Sequence, residues 1–202
     1  QALRRPAPVR ICVFGAGAIG GHVATRLAEG GADVSIVARG AHLAAIRDKG
    51  LRLIAPDGEH HVRVRATDDP AELGPQDAVI TTLKAHSLPA AASGIALLLG
   101  PDTPVAFVAN GIPWWYFHGL GGPHDGTELL DPKGAIRTAV GTGRAIGGVV
   151  YSACTVREPG LVFTEHANHR VILGEPDGSI SARAQAISAA MQKGGFPCPV
   201  VP

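Results

Sequence analysis

The segment Val9-Arg10-Ile11-Cys12-Val13-Phe14 runs directly into Gly15-Ala16-Gly17-Ala18-Ile19-Gly20-Gly21, and this junction constrains the fold more than any other part of the chain. A short apolar run between Pro8 and Gly15 reads as a buried strand. Ile19, Val23 and Leu27 then recur at helical spacing, so the chain passes from strand through a tight turn into a helix. The three glycines meet separate needs. Gly15 permits the turn, Gly17 lets a ligand approach the backbone with no side chain between, and Gly20 lets the helix pack closely on the strand. The first amides of a helix have no intrahelical partners and carry the positive end of its dipole. Gly15 to Gly20, with Ala16, Ala18 and Ile19 between, therefore reads as a cradle for a dinucleotide pyrophosphate.

The next strand, Asp33-Val34-Ser35-Ile36-Val37-Ala38, bears on which dinucleotide. An acid at its end would bond the ribose 2′-hydroxyl of NAD, but Arg39 stands there, where a guanidinium can grip a 2′-phosphate and stack on adenine. The expected cofactor is NADP(H). Asp33 opens the strand instead of closing it, so it faces away from the ribose. The alternative role for Arg39 is a solvated residue heading the next helix.

The remaining pattern indicates an α/β chain, Rossmann-type and doubly wound, with a mostly parallel sheet and additional antiparallel strands in the second half. Its 202 residues are read as a single domain, 1–202, with a dinucleotide-binding core over 9–111 and a long loop, added strands and last helix over 112–202. Beyond the second strand the sequence predicts a helix near Ala41–Lys49 and a hairpin of Leu51–Ile54 with His61–Val64. Ala78–Leu83 reads as the fourth core strand, a helix follows Ser87, and Val105–Val108 is the next strand, closed by Asn110-Gly111. The stretch Ile112–Gly134 reads as a long loop of the kind that is often functional. Ala145–Thr155, Leu161–Thr164 and Arg170–Leu173 read as antiparallel strands, before a helix with Ile180, Ala184, Ile187 and Met191 on one face.

Composition excludes several partners. A net charge of +1, with both signs spread along the chain, argues against nucleic acid and against an anionic membrane surface. There is no apolar stretch of about 18 residues or more, and Gln1 to Arg5 lacks the apolar run of a signal peptide, so a cytoplasmic location is expected. Cys12, Cys154 and Cys198 are few and scattered, which reads as reduced core thiols.

Several motifs, taken in order, resemble the N-terminal domain of the ketopantoate reductase (2-dehydropantoate 2-reductase) family. They are Gly15-Ala16-Gly17-Ala18-Ile19-Gly20, Arg39, Thr82-Leu83-Lys84-Ala85, Asn110-Gly111, Gly147-Gly148-Val149-Val150-Tyr151, Pro159-Gly160 and Leu173-Gly174-Glu175-Pro176. The resemblance implies reduction of a 2-oxo acid by NADPH, with ketopantoate to pantoate, a step of pantothenate biosynthesis, as the expected reaction. It implies that Lys84 lies beside the nicotinamide ribose, that Asn110 touches the cofactor and orients the substrate, and that the backbone at Val156 contacts the cofactor. It also places the general acid, a lysine, on a C-terminal helical domain that these residues lack. The chain alone is thus expected to bind NADPH without turning over, and any homodimer contact falls to that helical domain. A reductase of another small carbonyl compound and a non-enzymatic NADP-binding or sensing module stay open as alternatives.

Two other groupings read as structural. His166 and His169 in Glu165-His166-Ala167-Asn168-His169 do not have metalloprotease spacing and would point to opposite faces of a strand, so no metal is expected. His60-His61 reads as a solvated strand end, and Trp114-Trp115-Tyr116-Phe117 as an anchor for the long loop or part of an interface, with stacking on a ligand as the alternative.

Overall fold

A computed structural model describes residues 7–125 and 127–202. The first half runs β1 (Arg10–Phe14), α1 (Ala18–Glu29), β2 (Asp33–Val37), α2 (Gly40–Lys49), β3 (Leu51–Ala55), β4 (Gly58–Val62), β5 (Arg65–Thr67), β6 (Ala78–Thr81), α3 (Leu88–Ala96) and β7 (Val105–Val108). The second half runs α4 (Ala135–Ala139), β8 (Ala145–Tyr151), β9 (Cys154–Glu158), β10 (Leu161–Thr164), β11 (Arg170–Gly174), α5 (Ala182–Lys193) and β12 (Val200–Val201).

Two sheets result. The larger has the order β12-β11-β8-β7-β6-β1-β2-β5, and β5 through β8 in that order are all parallel. Strand β11 is antiparallel to β8. Chain direction reverses its lateral progress at β1, with β2 on one side and β6 on the other, so a crevice opens above their C-terminal ends. The smaller sheet, β4-β3-β10-β9, joins the β3–β4 hairpin to the β9–β10 hairpin through a parallel β3–β10 pairing.

Helix α1 explains why the two sheets stay together. Gly20 through Leu27 are all buried, because the large sheet covers one side of the helix and the small sheet the other. Its glycine pair serves both sides. A Cβ on Gly20 would sit 1.8 Å from the Gly15 carbonyl oxygen, and one on Gly21 would sit 2.6 Å from Val162 Cγ2. Buried Arg26 fixes the far end, reaching Asp57 Oδ1 at 2.7 Å in the β3–β4 turn, while His60 bonds Glu29 and the same Asp57. Arg26 holds the Asp57 carboxyl well below the usual carboxylate range.

At the other end of the large sheet, Ser181 caps α5 by accepting from the Ala184 amide at 3.1 Å. Arg183 grips both oxygens of Glu175 at 2.7 and 2.6 Å, lowering that carboxyl, and reaches the Gly143 carbonyl. Ala184, Ile187 and Met191 bury against β11 and α1 with Phe196.

The structure corrects several sequence expectations. The expected strand Ala145–Thr155 is two strands in different sheets, parted at Ser152-Ala153, and β8 pairs parallel with β7 as well as antiparallel with β11. The hairpin turns on Pro56-Asp57, so pairing starts at Gly58 and the second strand ends at Val62 instead of spanning His61–Val64. Edge strand β5 has no counterpart in the sequence reading, being only three residues long. Ile180 lies before α5 and is exposed. His60 is held by two carboxylates instead of standing solvated, and Cys154 is half-buried instead of core.

Candidate functional site

The crevice begins at the glycine turn. Gly15 has φ of +110°, a conformation that side chains disfavour. Its amide donates to the Val37 carbonyl at 3.1 Å and its carbonyl accepts from the Thr82 hydroxyl at 2.8 Å, so the turn is pinned to β2 on one side and to the end of β6 on the other. Gly17 caps α1 in extended conformation with no side-chain bond to the helix amides. A Cβ there would meet nothing within 4 Å, and Ala18 and Ile19 at the head of α1 line a cavity. Unpaired amides at the positive end of a helix dipole suit an anion.

A cavity of about 610 Å³ lies over this turn, lined by Gly15, Gly17, Arg39, Thr82, Lys84 and Cys154 among others. A second space of about 540 Å³ adjoins it and shares Ala16, Gly17 and Arg39, adding His42 from α2 and Val156 from β9. Arg39 precedes α2, is exposed and extended, and makes no ion pair or side-chain bond among the described residues. Its guanidinium is available to an incoming phosphate. Lys84 is likewise exposed, in extended backbone just before a short helical turn that leads into α3. The sequence-derived set from Gly15 to Gly20, with Arg39, Lys84 and Val156, therefore reaches one edge. The small sheet brings Val156 to it, which local sequence patterns do not foreshadow.

Asn110 stands further along, past β7. Its Nδ2 donates to the Val150 carbonyl and its Oδ1 accepts from the Val150 amide, both at 3.0 Å, so the side chain extends the β7–β8 ladder by one rung. The carboxamide is held rigid at the rim, with one donor hydrogen and one acceptor position left. The positive φ of this turn belongs to Gly111, at +107°, and not to Asn110.

Beside Asn110 the long loop folds over a mainly apolar cavity of about 370 Å³ walled by Leu88, Phe107, Trp114, Trp115 and Leu130. Trp114 and Trp115 are buried edge-on against each other and close to Phe107, which anchors the loop as the sequence suggests. Tyr116 is exposed.

His169 packs on His22 and Phe196 at 4.5 and 4.7 Å between ring centroids, away from the crevice. Among the described residues no group of three or more His, Cys, Asp and Glu could hold a metal ion, and no helix is long and apolar enough to cross a membrane. Burial pushes the Cys12 and Cys198 thiols up to about 12, so both stay protonated, while Cys154 faces the cavity. Sequence reasoning overlooked Cys154, Gly21 and His42. Gly21 carried a visible signal, since a second consecutive glycine in a helix is costly unless something packs against it.

Known proteins resemble this arrangement along nearly the whole chain. The family model for ketopantoate reductase PanE/ApbA matches residues 11–178. The 2-dehydropantoate 2-reductase of Mesorhizobium japonicum is 51% identical over 195 residues, which cover 95% of this chain and 60% of that protein. A crystal structure from Ralstonia solanacearum MolK2, assigned to ketopantoate reductase, superposes with a TM-score of 0.89 at 41% identity, covering 96% of this chain and 61% of its own. The 2-dehydropantoate 2-reductase of Porphyromonas gingivalis W83 gives a TM-score of 0.79 at 25% identity, covering 96% and 64%. The chain thus spans about 60% of the length of these relatives. With the family model matched over residues 11–178 and a relative 51% identical over 95% of the chain, the chain belongs to the ketopantoate reductase PanE/ApbA family.

Proposed function

We propose that residues 1–202 form one cofactor domain that binds NADPH in the crevice above β1 and β6 and serves the reduction of a 2-oxo acid, ketopantoate to pantoate. The observation that carries this reading is the convergence of four separated stretches, Gly15–Gly20, Arg39, Lys84 and Asn110, on one edge of a parallel sheet. NADPH supplies the hydride that reduces the ketone carbon. The amides of the Gly17–Ile19 turn bind the pyrophosphate, Arg39 holds the 2′-phosphate, and the backbone at Val156 closes the adenosine side. Lys84 lies beside the nicotinamide ribose and draws in the anionic oxo acid, while Asn110 uses its remaining hydrogen-bonding capacity to orient it. The alkoxide left by hydride transfer needs a proton donor, which we assign to the part of the relatives' length that has no counterpart in this chain. The reading places the protein in the cytoplasm, acting on a small molecule and not on nucleic acid or a membrane.

Absorbance at 340 nm tests it. Residues 1–202 are expected to bind NADPH yet leave its absorbance unchanged with ketopantoate present. Steady turnover by these residues alone would contradict the assignment and make Lys84 the acid to examine. General acids contribute typically about 10² to 10⁴-fold, a gap wide enough to measure.

A further inference from the structure

His42 belongs to none of the motifs above, yet it connects three parts of the site. It lies in the first turn of α2, shortly after Arg39. Its Nδ1 accepts a hydrogen bond from the Gly160 amide at 2.9 Å, in the turn between β9 and β10. That turn is seated firmly, since a Cβ on Gly160 would lie 3.1 Å from Ala45 Cβ. A ring nitrogen that accepts from an amide carries no proton, so in the neutral imidazole the proton is on Nε2. This Nε2–H is buried and has no partner among the described residues. Buried donors are seldom left so. The Ala16 backbone lines the same space as the ring and favours its charged form, as an acceptor carbonyl does, while burial disfavours that form more strongly. Ala16, Gly17, Arg39 and His42 all line the same 540 Å³ space.

We propose that His42 is a positioning residue for the phosphate turn, its Nε2–H closing onto the Ala16 carbonyl when a pyrophosphate is bound. The Ala16–Gly17 peptide is trans, so its carbonyl and its amide hydrogen point to opposite edges. A donor that holds the carbonyl from the α2 side therefore aims the Gly17 amide outward, into the open space where an anion sits. The same ring ties the turn to the small sheet through Gly160. The inference rests on the dinucleotide reading above but makes its own prediction. NADPH and NADH share the pyrophosphate, so loss of His42 weakens both alike, whereas loss of Arg39 weakens NADPH.

The test is calorimetric titration of NADPH and NADH into the wild-type chain, His42→Leu and His42→Gln, with thermal unfolding and the ¹⁵N shift of the Gly17 amide followed in parallel. Leucine keeps bulk without hydrogen bonds, and glutamine can accept from Gly160 and donate to Ala16. His42→Leu is expected to weaken both cofactors by the same factor, roughly three- to tenfold, the range of one neutral hydrogen bond. His42→Gln is expected to recover most of that loss and the wild-type Gly17 shift on binding, and this variant decides the matter if His42→Leu does not fold. Wild-type affinity in a folded His42→Leu, a loss confined to NADPH, or a His42→Gln chain with an unmoved Gly17 amide would each overturn the proposal. A wild-type chain that binds neither dinucleotide would instead overturn the cofactor reading on which it rests.

Discussion

The large and small sheets meet the same helix in different ways. Against the large sheet, α1 packs backbone on backbone, Gly20 over the Gly15 carbonyl; against the small sheet it packs backbone on a side chain, Gly21 over the tip of Val162. A carbonyl fixed by the Thr82 hydroxyl cannot retreat, whereas a valine methyl on a four-stranded sheet can shift. The first contact defines the glycine turn, and the second only holds a wall beside it. Glycine therefore plays one role as a structural necessity and another as an adjustable fit, within two consecutive residues.

Adding one carbon at each glycine tests that difference. Gly20→Ala places a Cβ 1.8 Å from the Gly15 oxygen, and the expected cost exceeds about 3 kcal/mol, with loss of cooperative folding in urea. Wild-type stability in this variant would mean that α1 does not pack backbone on backbone against the Gly15 turn. Gly21→Ala is expected to cost less, about 1 to 3 kcal/mol, and combining it with Val162→Ala should recover part of the loss. Strict additivity of the two changes would show that they do not touch.

Acid probes the junction between the two regions at His22, which faces His169 and Phe196 near the large sheet and Ser152 where the chain crosses to the small one. Burial first, then the neighbouring His169 and Arg26, lower His22 to about 3. A histidine that resists protonation only when folded contributes stability above its ordinary pKa of about 6.5, and that contribution is lost as pH falls, by up to about 1.4 kcal/mol per unit. His42 and His169 are lowered too and add to the slope. Asp57 and Glu175 titrate low in the fold and weaken it only below about pH 4.5, so the window from about 6.5 to 4.5 reports the histidines. Urea midpoints should fall across that window and fall less steeply in His22→Phe. A flat wild-type profile would contradict the buried, neutral assignment.

The same contrast governs what could be read from sequence. The turn at Gly15, Gly17 and Gly20, and Arg39 at the end of β2, are local: each residue type follows from backbone geometry or charge within one βαβ unit. Lys84 and Asn110 were placed at strand ends because the apolar runs before them are clear. What escaped was long-range. The β3–β10 pairing joins segments from opposite halves of the chain, and no periodicity within either hairpin encodes it. That pairing carries Val156 to the glycine turn, a position that the family resemblance indicates and the residue pattern does not. The Asn110–Val150 rung and the His42–Gly160 bond are of the same kind, side chains satisfied by backbone that only tertiary structure brings near.

The central claim is that the glycine turn binds a dinucleotide pyrophosphate, and titration of NADPH and NADH into the wild-type chain, Arg39→Ala and Gly17→Val tests it most directly. Because nothing lies within 4 Å of a Cβ on Gly17, the valine variant should stay folded by circular dichroism while filling the space an anion needs. The account predicts tighter wild-type binding of NADPH than of NADH, a selective loss of NADPH affinity of about tenfold or more in Arg39→Ala, and no binding of either cofactor to Gly17→Val. A folded Gly17→Val chain that binds NADPH as the wild type does would contradict it.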